Sequence, residues 1–147
     1  MKTTISAMFF ITLYYLLEAC SPKAVPMNFV GNDIKPIEII LKEAKKENKL
    51  IFVDIYTTWC GPCKWMDANV FTDPEVAHKF NKSFINYKVN GESFDGVNIG
   101  LKYRVDSYPT YLFLNAKGEV VLRLEGMLPA SNLLSEAESA EQKIKKH

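Results

Sequence analysis

From about residue 35 onward, stretches with helical hydrophobic spacing alternate with short apolar runs of the kind that form buried strands. The first helix is predicted over residues 35–47, where apolar side chains recur every three or four positions. In the next segment, Leu50 to Tyr56, Asp54 is the only charged residue. Such a run is typical of a strand that is covered on both faces in a parallel or mixed sheet.

The rest of the chain continues this alternation and ends in a hairpin and a helix. Asp73 and Pro74 are suited to begin a helix, because aspartate can cap it and proline fits the first turn. The remaining predicted elements are a strand at 84–89, a helix through Val97, Leu101 and Tyr103, strands at 111–114 and 120–124 joined by a turn at 115–118, and a final helix from near Pro129 with Leu133, Ala137, Ala140 and Ile144 on its core face. The pattern predicts an α/β domain with a central sheet of about four strands flanked by helices.

Two cysteines, Cys60 and Cys63, stand between the buried strand and the helical segment that follows it. With two residues between them, both sulfurs can meet on the first turn of a helix and form a disulfide. The free N–H groups at a helix N-terminus favour a thiolate, so Cys60 is the candidate nucleophile for thiol–disulfide exchange. Gly61 allows a partner chain to approach, and Pro62 fits the first turn. Cys63 lies further into the helix and is expected to be less exposed and to act as the resolving thiol.

A cysteine pair with this spacing can also be half of a zinc site. A structural zinc ion needs four ligands, and beyond the pair the chain offers only Cys20, His78 and His147. Neither histidine lies at ligand spacing from the pair, and His78 is expected at the surface. The buried strand directly before the cysteines favours redox chemistry, so neither a metal nor another cofactor is expected.

Several motifs occur together in the same order as in one known family. They are Trp59-Cys60-Gly61-Pro62-Cys63, Asp54 six residues before Cys60, Lys88 in the next predicted strand, Tyr108-Pro109-Thr110, and Gly126 between the last strand and the last helix. Over about residues 34–139 the chain thereby resembles a thioredoxin-fold domain. The resemblance implies a mixed sheet, an active-site helix and a cis-proline loop that faces the disulfide.

The resemblance also implies roles in substrate binding for Trp59, Gly61, Pro62, Tyr108 and Pro109. A cis bond before Pro109 would turn the backbone so that Tyr108 presents its N–H and C=O groups to a docked peptide. An ordinary trans proline in a turn is the alternative. Trp59 would shield the thiols and offer apolar surface to a partner, or it would serve packing alone. Core or helix packing is expected of three further residues, Trp65, Met66 and Phe71.

Two departures from cytosolic thioredoxins indicate a particular branch of the family. Ala68 stands where thioredoxins have a kinking proline, and residues 71–76 resemble extracytoplasmic thioredoxin-like domains, including the C-terminal domain of the DsbD transmembrane reductases. Tyr108 replaces a smaller aliphatic residue and would narrow the substrate groove. Partner preferences therefore do not carry over from thioredoxin.

Asp54 is the candidate base for the resolving step. A carboxylate in an otherwise apolar strand is expected to have its pKa raised by desolvation, which makes it a better proton acceptor for Cys63. The alternative is a buried aspartate held by structural hydrogen bonds.

Residues 1–19 are predicted to be a lipoprotein signal peptide. Lys2 supplies a positive charge, and residues 5–17 form an apolar run that is shorter than the roughly 20 residues of a membrane span. The Leu-Glu-Ala-Cys sequence that ends at Cys20 resembles the bacterial lipobox. It implies that Cys20 is lipidated and anchors the protein on the extracytoplasmic, periplasmic side of a bacterial membrane. Plain secretion, an uncleaved anchor and a spare thiol at Cys20 are the alternatives.

Residues 20–32, with prolines at 22 and 26 and no periodicity, are predicted to be the lipidated cysteine and a flexible tether, and 33–147 the folded domain. The 147 residues, 48% of them apolar and 24% charged, fit one such domain with a short extension. The net charge of +1 argues against a nucleic-acid surface. A monomer is expected.

The leading hypothesis is a lipid-anchored protein-disulfide reductase outside the cytoplasm. It would act on protein disulfides or dithiols and be recharged by a membrane thiol relay of the DsbD kind. Gly61-Pro62 favours reduction, because oxidising relatives usually carry a histidine between the cysteines. A disulfide oxidase or isomerase is the second hypothesis, and a non-catalytic adaptor is the third, which the cysteine pair with Asp54 and Pro109 disfavours.

Overall fold

The computed structural model describes residues 25–145. Its elements are β1 (Phe29–Gly31), α1 (Ile37–Glu47), β2 (Leu50–Tyr56), α2 (Gly61–Asn69), α3 (Pro74–Ser83), β3 (Phe84–Asn90), α4 (Phe94–Tyr103), β4 (Thr110–Leu114), β5 (Val120–Glu125) and α5 (Ala130–Lys145). The strands form one mixed sheet in the order β1-β3-β2-β4-β5. β3 is parallel to β1 and β2, whereas β4 is antiparallel to β2 and β5. The predicted α/β fold is confirmed, with five strands in the sheet instead of about four.

The central strand β2 has a core on each of its faces. Alternate side chains point to opposite faces of a strand, so Phe52 packs with aromatic residues under α2, α3 and α5, while Val53 packs on the side of α1 and α4. Phe52 alone contacts the rings of several neighbours, among them Phe80 at 4.7 Å and Tyr111 at 5.7 Å between centroids. This double burial explains why the sequence of β2 is apolar throughout except at Asp54.

The fifth strand, β1, lies in the stretch that was predicted to be a flexible tether. Phe29–Gly31 pairs with β3, and the N–H of Met27, a buried residue, donates to the carbonyl of Phe71 at 3.1 Å. Asn81 binds this segment further, accepting from the N–H of Asn28 and donating to the carbonyl of Pro26. The prediction that the domain begins at residue 33 is therefore wrong. Residues 1–24, with the predicted signal peptide and Cys20, lie outside the described residues.

The helices lie where the sequence predicts them, but in two of them the buried residues differ from the predicted ones. Asp73 caps α3, because its carboxylate accepts from the N–H groups of the next turn. In α4 the buried face is Gly96, Ile99 and Tyr103, whereas Val97 and Leu101 are 48% and 74% exposed. In α5, Leu133, Ala137 and Ala140 are buried and Ile144 is partly exposed. None of the helices within residues 25–145 has the length and apolar composition needed to cross a membrane.

Candidate active site

Cys60 and Cys63 form a disulfide at the start of α2, with their Cα atoms 5.3 Å apart. Cys60 is the N-cap residue of the helix, and its sulfur accepts a hydrogen bond from the N–H of Cys63 at 3.1 Å. Pro62 lies in the first turn, where its lack of an N–H costs nothing. Each cysteine is 3% exposed. The expectation that Cys63 is the less exposed of the two is therefore wrong for this disulfide form, because the bond holds both sulfurs against the domain.

The sheet topology brings a second segment to the disulfide. β4 is antiparallel to β2, and Thr110 pairs with Ile55 near the carboxyl end of β2. The residues just before β4 therefore lie at the same end of the sheet as the start of α2. Those residues are Tyr108 and Pro109, and the peptide bond between them is cis, as the resemblance implied.

The backbone at Tyr108 is open for binding. Among residues 25–145, neither its N–H nor its C=O takes part in a hydrogen bond. By contrast, the carbonyl of Pro109 accepts from the N–H of Gly126 at 2.9 Å, which fixes the loop. Gly126 has a φ of 78°, a left-handed conformation that glycine adopts at little cost. An extended peptide can therefore pair with Tyr108 in the manner of an added strand.

Trp59, directly before Cys60, lies beside Tyr108 and is 66% exposed. Its indole N–H donates to the carboxylate of Glu92 at 2.8 Å, and its ring meets that of Tyr108 edge-on at 6.1 Å between centroids. Gly91 makes room for Tyr108, because a Cβ atom at this position would come within 3.0 Å of the tyrosine ring. No local pattern in the sequence marks Gly91 or Glu92 as part of the site.

Asp54 and Lys88 pair side by side in neighbouring parallel strands beneath α2. The ammonium of Lys88 donates to Asp54 at 2.5 Å and also to Asp67 of α2 at 2.6 Å. It lies 4.7–5.4 Å from the ring centroids of Tyr56, Phe29 and Phe71. Rings at such distances attract a cation, so Lys88 is held by carboxylates and aromatic faces together.

Burial governs the protonation of Asp54, whose side chain is 2% exposed. It raises the pKa of Asp54 from 3.8 to about 6, against the stabilising charge and hydrogen bond of Lys88. The charge of Asp67 contributes a smaller part of this rise. Burial disfavours the charge on Lys88, but the two carboxylates outweigh it and raise the pKa of Lys88. Desolvation thus shifts the pKa of Asp54 upward, the direction predicted from its apolar strand, and a carboxyl group with this pKa can exchange a proton near neutral pH.

One oxygen of Asp54 remains available. Within the described part of the chain its Oδ1 has no hydrogen-bond partner, nor do the buried hydroxyls of Thr57 and Tyr111. Tyr111 lies directly opposite Asp54 in the pairing of β2 with β4. Its pKa is raised by burial first and by the charge of Asp54 second, so it stays protonated and can only donate or accept as a phenol. The carboxylate of Asp54 thus keeps one buried oxygen without a hydrogen-bond partner among residues 25–145.

Of the other residues singled out in the sequence, those that the structure describes lie outside the disulfide site and differ in their burial. Met66 and Phe71 are buried, as expected, whereas Trp65 is 44% exposed and does not belong to the core. His78 is exposed. Within residues 25–145 no three His, Cys, Asp or Glu side chains cluster in a way that could hold a metal ion, and Cys20 and His147 lie outside the described residues.

The site combines a cysteine pair in its disulfide form, a buried carboxylate in the strand that precedes it and a cis-proline loop at the same end of the sheet. In this fold, that combination defines a thiol–disulfide oxidoreductase domain. The sequence profile of a thioredoxin-like domain matches residues 37–141, and the chain belongs to the thioredoxin-like family.

Individual relatives agree with this assignment. The chain is 36% identical over 116 residues to thioredoxin H4 of Arabidopsis thaliana, covering 79% of this chain and 84% of the plant protein. It is 28% identical over 120 residues to the thiol:disulfide interchange protein DsbD of Tatumella citrea, covering 80% of this chain and 20% of DsbD. Its structure is similar to that of a candidate disulphide-isomerase of Bacteroides thetaiotaomicron, with a TM-score of 0.70, 43% identity, and coverage of 81% of this chain and 96% of that one. The chain spans about half the length of several other curated thioredoxins that it matches.

Proposed function

We propose that this protein is a protein-disulfide reductase that works outside the cytoplasm. The observation that carries the proposal is the Cys60–Cys63 disulfide with only Gly61 and Pro62 between the sulfurs. Neither intervening residue can donate a hydrogen bond or a charge from its side chain to a thiolate, so the reduced form gains no stabilisation from them. A couple of this kind releases electrons to a substrate disulfide more readily than one whose reduced form is stabilised.

The reaction consists of two exchanges. In the reduced protein, the thiolate of Cys60 attacks one sulfur of a substrate disulfide, forms a mixed disulfide and releases the other substrate sulfur as a thiolate. The thiol of Cys63 then gives its proton to Asp54 and attacks the sulfur of Cys60. This forms the Cys60–Cys63 disulfide and releases the second substrate thiolate. The substrate gains two electrons, the protein loses them, and the proton on Asp54 passes to solvent or to a leaving thiolate.

The substrate is a segment of another protein. Its extended backbone pairs with the free N–H and C=O groups of Tyr108, while its apolar side chains contact Trp59. Both features lie on the same side of the domain as the disulfide. A peptide that docks there presents its own cysteine sulfur to Cys60.

For the cellular setting, we propose a lipoprotein that is anchored through Cys20 and faces the periplasm. The positively charged start, the apolar run at 5–17 and the lipobox-like sequence support this proposal. The likeness to one part of DsbD supports a membrane thiol relay as the electron donor. The proposed active unit is a monomer.

Catalysed reduction of insulin tests the enzymatic proposal. With dithiothreitol as donor, the full chain should accelerate precipitation of the insulin chains, and Cys60→Ser should abolish the acceleration. His78→Asn is a matched control, because His78 is an exposed residue of α3 outside the site. Acceleration that survives in Cys60→Ser would contradict a role of this disulfide.

The direction of the reaction is tested by titration against glutathione or dithiothreitol. The reduction potential is expected nearer that of thioredoxin, about −270 mV, than that of DsbA, about −120 mV. These limits differ by about 7 kcal/mol of disulfide stability, so a simple titration decides between them. A value above about −180 mV would favour the second candidate function, disulfide oxidation or isomerisation. The similarity to the Bacteroides protein supports isomerisation of the two.

A further inference from the structure

The ammonium of Lys88 is divided between two carboxylates that differ in exposure. Asp54 is 2% exposed and comes from β2, whereas Asp67 is 44% exposed and comes from α2. The hydrogen bonds that Lys88 donates to them are nearly equal, 2.5 and 2.6 Å. One positive charge therefore balances two negative ones, and each carboxylate receives only part of its stabilisation.

Asp67 is also linked to the reacting thiols through its helix. It lies four residues after Cys63 in α2, and side chains four residues apart share one face of a helix. The face of α2 that carries Cys63 is thus the face that reaches Lys88 and, beyond it, Asp54. The Lys88–Asp67 contact ties the active-site helix to the strand that holds the base.

We propose that Asp67 is a positioning residue for the resolving step: it draws part of the charge of Lys88 away from Asp54 and so keeps Asp54 a stronger proton acceptor for Cys63. This inference rests on the proposed function, since it concerns the proton that Cys63 gives up in the second exchange.

Of the groups around Asp54, Asp67 is the one whose removal tests how the charge of Lys88 is shared. Lys88 donates to Asp54 from β3, Tyr111 lies opposite Asp54 in β4, and Asp67 of α2 shares the ammonium of Lys88. Tyr111 remains a neutral phenol and Lys88 remains an ammonium throughout the neutral range. Asp67 is the negatively charged neighbour in this group, and its charge raises the pKa of Asp54.

The first test is a direct titration of Asp54 by carbon-13 NMR of its carboxyl group, in the disulfide form of the full chain, where neither cysteine titrates. Asp67→Asn keeps the shape and a hydrogen-bond acceptor but removes the charge. It should lower the pKa of Asp54 by about one pH unit. Asp67→Glu, which keeps the charge, should stay near the wild type. Glu138→Gln removes one charge at an exposed position of α5 and should leave the titration unchanged.

Asp67→Asn made in a Lys88→Gln protein shows whether Asp67 acts on Asp54 by sharing Lys88 or by direct repulsion between the two carboxylates. When Lys88→Gln is present, Asp67→Asn should lose most of its influence on Asp54, because the lysine that the two carboxylates share is gone. A shift of full size in that background, or an unchanged pKa of Asp54 in Asp67→Asn alone, would overturn the proposal.

The functional readout is the pH dependence of the resolving step, followed in stopped flow as release of the second thiol from a chromogenic aromatic disulfide. In Asp67→Asn the acid limb should move to lower pH by the same amount as the titration, and the plateau should fall about two- to threefold because the base is weaker. If Asp67→Asn shifts the pKa of Asp54 but the wild-type protein does not reduce insulin, the proposed function is overturned and the electrostatic role of Asp67 is still supported. An active protein with an unchanged titration and pH profile would overturn the role of Asp67 alone.

Discussion

The buried carboxylate of Asp54 makes the stability of this domain depend on pH. In the unfolded chain it ionises near its ordinary pKa of 3.8, and in the folded domain burial raises that pKa to about 6. The folded state therefore binds the proton more tightly. The contribution of Asp54 to stability is complete below about pH 4 and is lost as the pH rises through 6. The difference between the two values corresponds to about 3 kcal/mol.

Replacement of Asp54 by asparagine should therefore stabilise the protein at neutral pH. At pH 7 the expected gain in the free energy of unfolding is about 1–3 kcal/mol, since the cost of a buried charge is removed while Lys88 keeps Asp67. Near pH 4 the variant and the wild type should be nearly equally stable. Urea unfolding at both pH values measures the difference. A gain that does not depend on pH would mean that packing, and not ionisation, distinguishes the two side chains.

The two cysteines should differ once the disulfide is reduced. Cys60 is the N-cap residue of α2 and faces its free N–H groups, whereas Cys63 lies inside the first turn. Alkylation at mildly acidic pH should modify Cys60 much faster than Cys63, as peptide mapping by mass spectrometry would show. Correspondingly, Cys63→Ala should accumulate mixed disulfides with substrates and Cys60→Ala should not. Equal rates of alkylation would contradict the assignment of Cys60 as the nucleophile.

Residues with a local signal could be located from the sequence, and residues without one could not. The cysteine pair, Asp54 in an apolar strand and Pro109 before the hairpin each stand out in the printed chain. Asp67 is an ordinary helical aspartate whose partner Lys88 follows 21 residues later, and Glu92 binds an indole 33 residues before it. Their roles depend on how α2, β3 and the loop after β3 meet in space, which no local pattern encodes.

Helices and strands follow the same rule: long buried runs can be located from the sequence, and a short edge strand cannot. β2 and β3 have seven residues each and are largely buried, so their apolar residues stand out in the sequence. β1 has three half-buried residues between prolines and a turn, and it is a strand only because β3 offers it a free edge. In α4 the apolar residues on the exposed face resemble a core face, while the true core face includes Gly96.

Gly96 allows α4 to pack closely against the end of β3. A methyl group at this position would overlap the carbonyl oxygen of Asn90, which is backbone and cannot move aside. Gly96→Ala should therefore destabilise the domain by about 2 kcal/mol or more. Gly100→Ala in the same helix meets nothing within 4 Å and should stabilise it by about 0.5–1 kcal/mol. Thermal unfolding of both variants measures the contrast, and a similar loss in both would refute this account of the packing.

For the molecule as a whole, the proposed anchor can be tested independently of the redox chemistry. The protein expressed in a bacterial host should incorporate labelled fatty acid and partition with membranes. Cys20→Ala should lose the label, because the thiol that would carry the lipid is gone. The purified variant should still reduce insulin, since the Cys60–Cys63 pair that carries the proposed reaction is unchanged. A mature protein that begins after residue 20 without lipid would refute the anchor.

The place where the chain enters the sheet determines how the domain would face a surface. Asn81, at the end of α3, holds Pro26 and Asn28 beside the amino end of β3, whereas the disulfide lies past the carboxyl end of β2. The seven residues of β2 span about 20 Å between these two ends. A short attachment directly before Val25 would therefore hold the domain at the end of the sheet opposite the disulfide. If the proposed lipid anchor is that attachment, partners in the aqueous space would reach the disulfide directly, and partners embedded in the same membrane would need a soluble arm about as tall as the domain.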